Sequence, residues 1–422
     1  MDAGTSAERA TRRIIHTRCC IVGGGPAGMM LGLLLARAGV RTLVLEKHAD
    51  FLRDFRGDTI HPSTLEVMHE LGLLEGLLRL PHQKIRQFSA KVGDRDVVIA
   101  DLTHLPTRCG FIAMMPQWDF LDFLAREARR YPGFELSMNA EVTSLVERDG
   151  RICGVKVKNQ EILADLVIGA DGRHSTVRAQ AGLQVEEFGV PMDVLWFRLS
   201  RKASDPEATM GRFTAGRIVI LLNRGDYWQC GYVISKGAAE EVRRAGLPAF
   251  RAGIGKALPF LAERAAELVD WDRIKLLTVR VDRLRQWYRP GLLCIGDAAH
   301  AMSPVAGVGI NLAIQDAVAA ANILATPLKD NRVSVDDLRK VQKRREWPVR
   351  VTQQLQLMIQ KRLIARALQS DASFAPPLFI RMLEMFPALR RIPARLIGLG
   401  IRPEHVKTIA AGPGRAPPGT QE

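Results

Sequence analysis

At 422 residues the chain can bury a large core and hold two closely linked domains, and its 47% hydrophobic and 25% charged residues exclude a disordered or repetitive protein. Six scattered cysteines, with no CxxC or Cys/His ligand spacing, argue against a metal site and against a secreted disulfide framework. The net charge of +15 comes with no nucleic-acid motif, so its candidate counterparts are anionic small molecules or an anionic membrane surface, with a solvated basic surface as the plain alternative.

Residues 1–17 carry charge and no long apolar run, so a flexible N-terminal arm is expected, and neither a signal peptide nor a membrane anchor. The longest apolar run, Met29 to Leu35, is too short to span a bilayer, which points to a soluble, reducing, cytoplasmic setting. Arg18 to Gly23 reads as a buried strand, with Cys19 and Cys20 as packing residues. Gly23, Gly25 and Gly28 then fall at a strand-to-helix turn, with Pro26 and Ala27 between them. Gly23 permits the tight turn, Gly25 lets the backbone approach a pyrophosphate, and Gly28 lets the helix pack on the sheet. A second strand, Arg41 to Leu45, ends in Glu46, at the distance expected of an acid that binds a ribose diol.

Ala164 to Gly169 is another strand entering a turn at Asp171, and Leu292 to Ile295 is a third, entering a turn at Asp297. Each acid lies at the carboxyl end of a buried strand, where open α/β sheets bind ligands. A helix begins near Gly309-Ile310-Asn311 and offers its N-terminus to an anion-forming ring edge. Between them, from 184 to 287, strands at 194–199, 217–222 and 227–234 suggest an antiparallel sheet, followed by a helical run from 238 to 266. After about 330 the chain is helical and basic, and from 412 it is a mobile Gly/Pro-rich tail. The basic helices read as a cover on the first domain or as a membrane-surface patch.

With these motifs in this order, the chain resembles the para-hydroxybenzoate hydroxylase class (group A) of flavoprotein monooxygenases over residues 18–330. The resemblance implies an α/β fold. A Rossmann-like FAD-binding domain of the glutathione reductase/para-hydroxybenzoate hydroxylase type (18–183 and 288–330) would carry an inserted antiparallel-sheet substrate domain (184–287). A C-terminal helical segment (331–411) would follow. It implies Glu46 and neighbouring Lys47 at the adenosine ribose, Arg56 at the pyrophosphate, Gln117 on the ribityl side and Val142 at adenine. Asp297 would bind the ribityl chain, Pro304 would sit beside the reactive flavin carbon, and Gly307, Gly309, Ile310 and Asn311 would lie along the pyrimidine edge. Asp171 and Arg178 belong to the motif this class uses for both FAD and NADPH.

The implied activity is hydroxylation of an aromatic or other electron-rich small molecule with molecular oxygen and NADPH or NADH. The flavin supplies the hard chemistry and the protein positions and shields it. Trp196, Tyr227, Trp228, Gln229 and Tyr232 are candidate substrate-lining residues, with core packing as their alternative. His61 and Pro304 are the candidates for a catalytic part, His61 because histidine titrates near neutral pH. His300 is expected to pack or hydrogen-bond. Two rival readings stand beside this one. One is a reductase or dehydrogenase of the same fold acting on a lipophilic unsaturated compound. The other is a non-catalytic escort for a lipidated partner.

Overall fold

The computed structural model describes residues 13–52, 58–92, 95–207, 209–214, 216–369 and 378–411. Five parallel strands form the centre of the first sheet, in the order Leu292–Cys294, Gln160–Gly169, Arg13–Val22, Thr42–Leu45 and Phe134–Ser137. Continuous apolar runs such as Cys19-Cys20-Ile21-Val22 suit strands covered on both faces, and all four residues are buried. Tyr288–Arg289 adds an antiparallel edge, and the hairpin Val142–Arg148/Arg151–Val157 hangs from Gln160–Gly169.

The first strand is longer than its apolar core suggests. Residues 13–17, expected within a flexible arm, continue it by pairing with Gln160 to Ala164, because that strand offers free backbone groups alongside. The helix Pro26–Arg37 follows the glycine turn with ten of its twelve residues buried. Gly32 makes this possible, since a Cβ there would lie 2.8 Å from Val44.

The second sheet has seven strands, in the order Lys275–Leu277, Met192–Ser200, Tyr227–Ser235, Arg217–Asn223, Met210–Thr214, Gln87–Val92 and Arg95–Asp101. It is antiparallel except where Met210–Thr214 runs parallel to Gln87–Val92. Two of its strands thus come from within residues 18–183, the stretch that sequence reading gave wholly to the first domain. The helices Ala239–Arg244 and Leu247–Ala257 supply residues to the apolar cluster on one face. They break at Gly246, whose φ of 86° interrupts the expected continuous helical run. The other face packs against Val305, Ile364 and Ala367.

The C-terminal segment begins with the helix Val335–Ile359, opened by a Ser334/Asp337 capping box. It lies on the helix Gly309–Lys329. Residues 305–329 are apolar and long enough to cross a membrane, yet most are buried within the fold, which makes them a core helix. Two shorter helices, Leu378–Met385 and Arg391–Gly398, pack on the strand Arg95–Asp101. The chain then returns to the glycine-turn helix, where Ala411 donates to the Arg37 carbonyl.

Candidate active site

Two helix N-termini meet around Gly296. The helix Pro26–Arg37 starts at Gly25 and the helix Gly309–Lys329 at Val308, and neither first turn has a side-chain cap. Their N–H groups are available to an anion. Gly296 (φ 58°) lies between them, where a Cβ would sit 3.1 Å from the Ala27 Cβ and 3.4 Å from that of Ala313. The glycines of the first turn have distinct duties. A Cβ on Gly23 would lie 2.3 Å from the Ala170 oxygen, and one on Gly28 would lie 1.9 Å from the Gly23 oxygen. A Cβ on Gly25 would meet no protein atom within 4 Å. Gly25 therefore keeps open space rather than a protein contact.

At one end, Glu46 is buried at its strand end, and its carboxylate accepts from Gly24 N at 2.9 Å and His48 N at 3.1 Å. Lys47 is exposed beside it. Val142 is buried nearby, two residues after Ala140, whose N–H donates to the Glu46 carbonyl. Gln117 begins the helix Gln117–Ala128 and is half-buried, with its N–H on Asp58. Arg56 lies outside the described residues.

At the other end, Asp297 stands in the turn Gly296–Ala298, about a third exposed and 3.5 Å from Arg173. Asp171 accepts from the Ser175 hydroxyl and Val177 N, and burial raises its carboxyl above the usual range against those bonds. Arg178 is buried and binds Asp282 and the carbonyls of Arg173 and Ala298. It thereby fastens the Asp171 turn to the Asp297 turn. Pro304 is exposed, and Ala306 and Gly307 both have φ of 64°. Thr59 donates to the Gly307 carbonyl at 3.0 Å. Ile310 is buried, and the Asn311 side chain is committed to Ser63 and Thr64.

Several positioning groups carry no signal in any motif. Asp316 is fully buried, and its carboxylate takes Gly296 N at 3.0 Å, the His300 ring at 2.5 Å and Arg345 Nε at 2.9 Å. Burial opposes its ionisation, but His300 and Arg345 hold it below the usual carboxylate range. Arg345 also reaches Glu404 and the Arg402 carbonyl. His300 is thus a hydrogen-bonding residue. Gln353 and Gln356 bind the backbone at Asp282, Ala301, Ser303 and Val305, and Gln360 binds the Ser303 hydroxyl. With Gln342 on Arg285 and Trp287, they form a row of buried amides along one helix face. Helical spacing of glutamines among basic residues was the available clue.

The second sheet divides the lining candidates by parity. Trp196 lies opposite Gly231 on the face that meets Val305, and its buried indole N–H has no acceptor among the described residues. Tyr227 and Gln229 share that parity, and the Arg198 guanidinium lies 5.1 Å from the Tyr227 ring. Tyr232 does not line this side. It points to the helix-covered face, with its ring 5.2 Å from Phe250. Trp228 is fully buried on that same far face and donates to Asp205. His61 is also buried, with Nδ1 2.7 Å from the Ile397 carbonyl, and burial lowers it to about 4. A ring held neutral in this way is poorly placed to shuttle protons near pH 7.

Asp58, just before the strand Thr59–Ile60, ties that strand to the second sheet by pairing with Arg224, which also binds Gln229. Burial raises the Asp58 carboxyl to about 6, although Arg224 pulls the other way. Its folded-state value exceeds the ordinary 3.8, so its stability contribution is full below that pH and is lost as the pH rises through 6. Wild type is expected to lose on the order of 2–3 kcal/mol relative to Asp58→Asn across that window. Urea titrations of both proteins at several pH values check this, and parallel pH profiles would refute it.

The two uncapped helix starts, brought together around Gly296 with open space at Gly25, suit the phosphates of a dinucleotide such as FAD. Residues 16–354 match the sequence model described as the FAD binding domain. The chain belongs to that family, the FAD-dependent aromatic hydroxylases. It is 32% identical to 6-methylpretetramide 4-monooxygenase of Streptomyces rimosus, over 90% of this chain and 92% of that one. It is 28% identical to the Probable NADH-specific resorcinol 4-hydroxylase of Rhodococcus jostii (strain RHA1), over 75% of this chain and 60% of the relative. In fold it is similar to P. aeruginosa PqsL in complex with 2-aminobenzoylacetate, with TM-score 0.71 and 21% identity, covering 84% of this chain and 97% of that one. The protein is accordingly an FAD-dependent monooxygenase that takes NAD(P)H as co-substrate.

Asp297→Ala tests the flavin end. Loss of charge-assisted hydrogen bonds worth about 1.5–3 kcal/mol should weaken FAD binding by about ten- to a hundredfold. Flavin-fluorescence titration of the folded variant measures it, and unchanged affinity would move the ribityl chain elsewhere.

Proposed function

We propose that this enzyme hydroxylates a planar, lipophilic aromatic compound held between the Trp196 face of the second sheet and the Pro304 loop, with NADPH as the preferred reductant. The observation that carries this is the buried apolar face of Trp196, Ile218 and Val233 packed toward Val305, with one unpaired indole donor in it. Such a surface takes a flat apolar body, and the indole N–H takes one carbonyl or phenol oxygen. FAD, when bound, accepts a hydride from the nicotinamide and activates oxygen for transfer to the substrate. The protein's part is to hold the loop at Pro304 through Gln356, to present the first-turn N–H groups of the helix Gly309–Lys329, and to close the site to water through the Asp58–Arg224 clasp.

A cytoplasmic location, with peripheral contact at the inner membrane face through the C-terminal segment, accompanies this reading. Polycyclic phenols, beginning with the 6-methylpretetramide named for the relative above, are the compounds to screen. A substrate should accelerate NADPH oxidation and leave with one atom of molecular oxygen, traced with labelled dioxygen. Reduction of an unsaturated compound without oxygen uptake would replace this reading with that of a reductase. Purified protein that binds no FAD would revive a non-catalytic escort.

A further inference from the structure

Seventeen large apolar side chains are exposed among the described residues, and seven of them fall within residues 378–396. Leu378, Phe379, Met382, Met385, Phe386 and Ile392 are each between 42% and 73% exposed. Phe379, Met382 and Phe386 stand at i, i+3 and i+7, so they form one stripe along the helix Leu378–Met385 and its end. The opposite sides of the two helices are anchored. Ile380, Leu383 and Ala394 are buried, and Ala394 packs with Ala100, Leu102 and Ile112. The apolar stripe is therefore presented outward by fixed helices.

We propose that this face docks on an anionic lipid surface. It deepens the reading that the C-terminal segment meets a membrane, by assigning the contact to residues 378–396. The long basic helix Val335–Ile359 suits an anionic surface less well, since its exposed Arg339, Lys340 and Arg350 pair with Asp336, Asp337 and Glu346 of the same helix. Charge selects the partner. Arg381, Arg391 and Arg395 are exposed within the patch, Arg390 is half-buried, and Glu384 is the only acid from 378 to 398. A second copy of the chain docked through the same face would set these arginines against their own kind. An anionic bilayer offers headgroups to the arginines and acyl chains to the stripe.

The placement has a use. Gly398 of the second helix packs against Pro62, and the neighbouring Ile397 carbonyl binds His61. The adjacent strand Thr59–Ile60 holds the Gly307 carbonyl. Only one layer of residues thus separates the docking face from the loop at the flavin end. A lipophilic substrate dissolved in the bilayer would reach the site from its rim.

The test uses the FAD-loaded full chain and vesicle co-sedimentation. Wild type should bind vesicles of phosphatidylcholine with phosphatidylglycerol at low salt, bind pure phosphatidylcholine vesicles poorly, and be released at high salt. Substituting Phe379→Ser, Met382→Ser and Phe386→Ser together should lower binding by about tenfold or more while leaving the flavin spectrum and melting temperature unchanged. Arg381→Gln with Arg391→Gln and Arg395→Gln should flatten the salt dependence. Wild type that ignores anionic vesicles would overturn any membrane contact. Wild type that binds them while the serine variant binds equally would overturn this face alone. A dimer in sedimentation that the serine variant converts to monomer would make the face a self-interface. None of these readouts depends on turnover, so they stand apart from the hydroxylase reading.

Discussion

Gly25→Ala is expected to leave the melting temperature of the apoprotein unchanged and to weaken FAD binding, whereas Gly28→Ala is expected to damage both. The difference follows from what each added methyl would meet. At Gly25 there is no protein atom within 4 Å, so the folded chain accepts the methyl. The space it enters is the approach of the pyrophosphate to the helix start, and the phosphates must withdraw from the N–H groups. At Gly28 the methyl would sit 1.9 Å from the Gly23 oxygen, so the helix must leave the turn that positions it. Overpacking of this kind costs roughly 1–3 kcal/mol. Gly23 cannot relieve it, since its φ of 109° and its contact with Ala170 fix the turn from the other side. FAD affinity should fall on the order of tenfold or more in both variants. Thermal melts of the apoproteins beside fluorescence titrations with FAD separate the cases. Equal FAD affinity in Gly25→Ala and wild type would show that the open space is not where the pyrophosphate lies.

Arg345→Met should be strongly destabilising. Arg345 is 1% exposed and reaches both Asp316 and Glu404, which are themselves buried. Methionine fills much of the volume but leaves Asp316 with His300 alone and Glu404 with Arg344 alone. Breaking a buried network from one side costs about 3–5 kcal/mol. Because Asp316 also holds Gly296 N and His300, the Gly296–Ala298 turn should loosen, and FAD should be released below the melting temperature of wild type. Arg345→Lys should recover only part of the loss, since one ammonium cannot copy a planar fork shared among Asp316, Glu404 and the Arg402 carbonyl. Denaturant unfolding measures the stability, and a loss under about 1 kcal/mol in Arg345→Met would mean that the carboxylates find other partners or take up protons.

The parts of this site that were legible in the sequence are those where backbone geometry dictates residue type over a short span. Gly23 and Gly28 had to be glycines for two separate steric reasons, and Glu46 and Asp297 stand at strand ends that apolar runs announce. The parts that were hidden depend on partners far away along the chain. Asp58 and Arg224 are 166 positions apart, and neither lies in a motif. Asp316 sits in the middle of an apolar helix, and nothing local says that Arg345 will reach it or that Glu404 will meet Arg345 in turn. The side on which Tyr232 lies was hidden for a different reason. Alternation along Tyr227–Ser235 separates its residues into two faces, but only the pairing of Trp196 with Gly231 and the packing of Val305 tell which face meets the flavin loop. The strands Gln87–Val92 and Arg95–Asp101 were hidden too: they pair with each other, and Gln87–Val92 joins the sheet only through Met210–Thr214, more than a hundred positions downstream.

That last pairing limits how members of this family can exchange substrate preference by recombination. A cassette cut at residues 184 and 287 would carry five of the seven strands of the second sheet and leave two behind in the recipient. Its edge strand would then have to find a foreign neighbour in the register that sets Met210 opposite Ser89 and Phe213 opposite Val92. A slip of one residue there turns every side chain of the recipient strand to the wrong face. A chimera that also transplants residues 87–101 keeps both strands with their own partners. Four crossovers rather than two are therefore needed to inherit a new roof over the flavin.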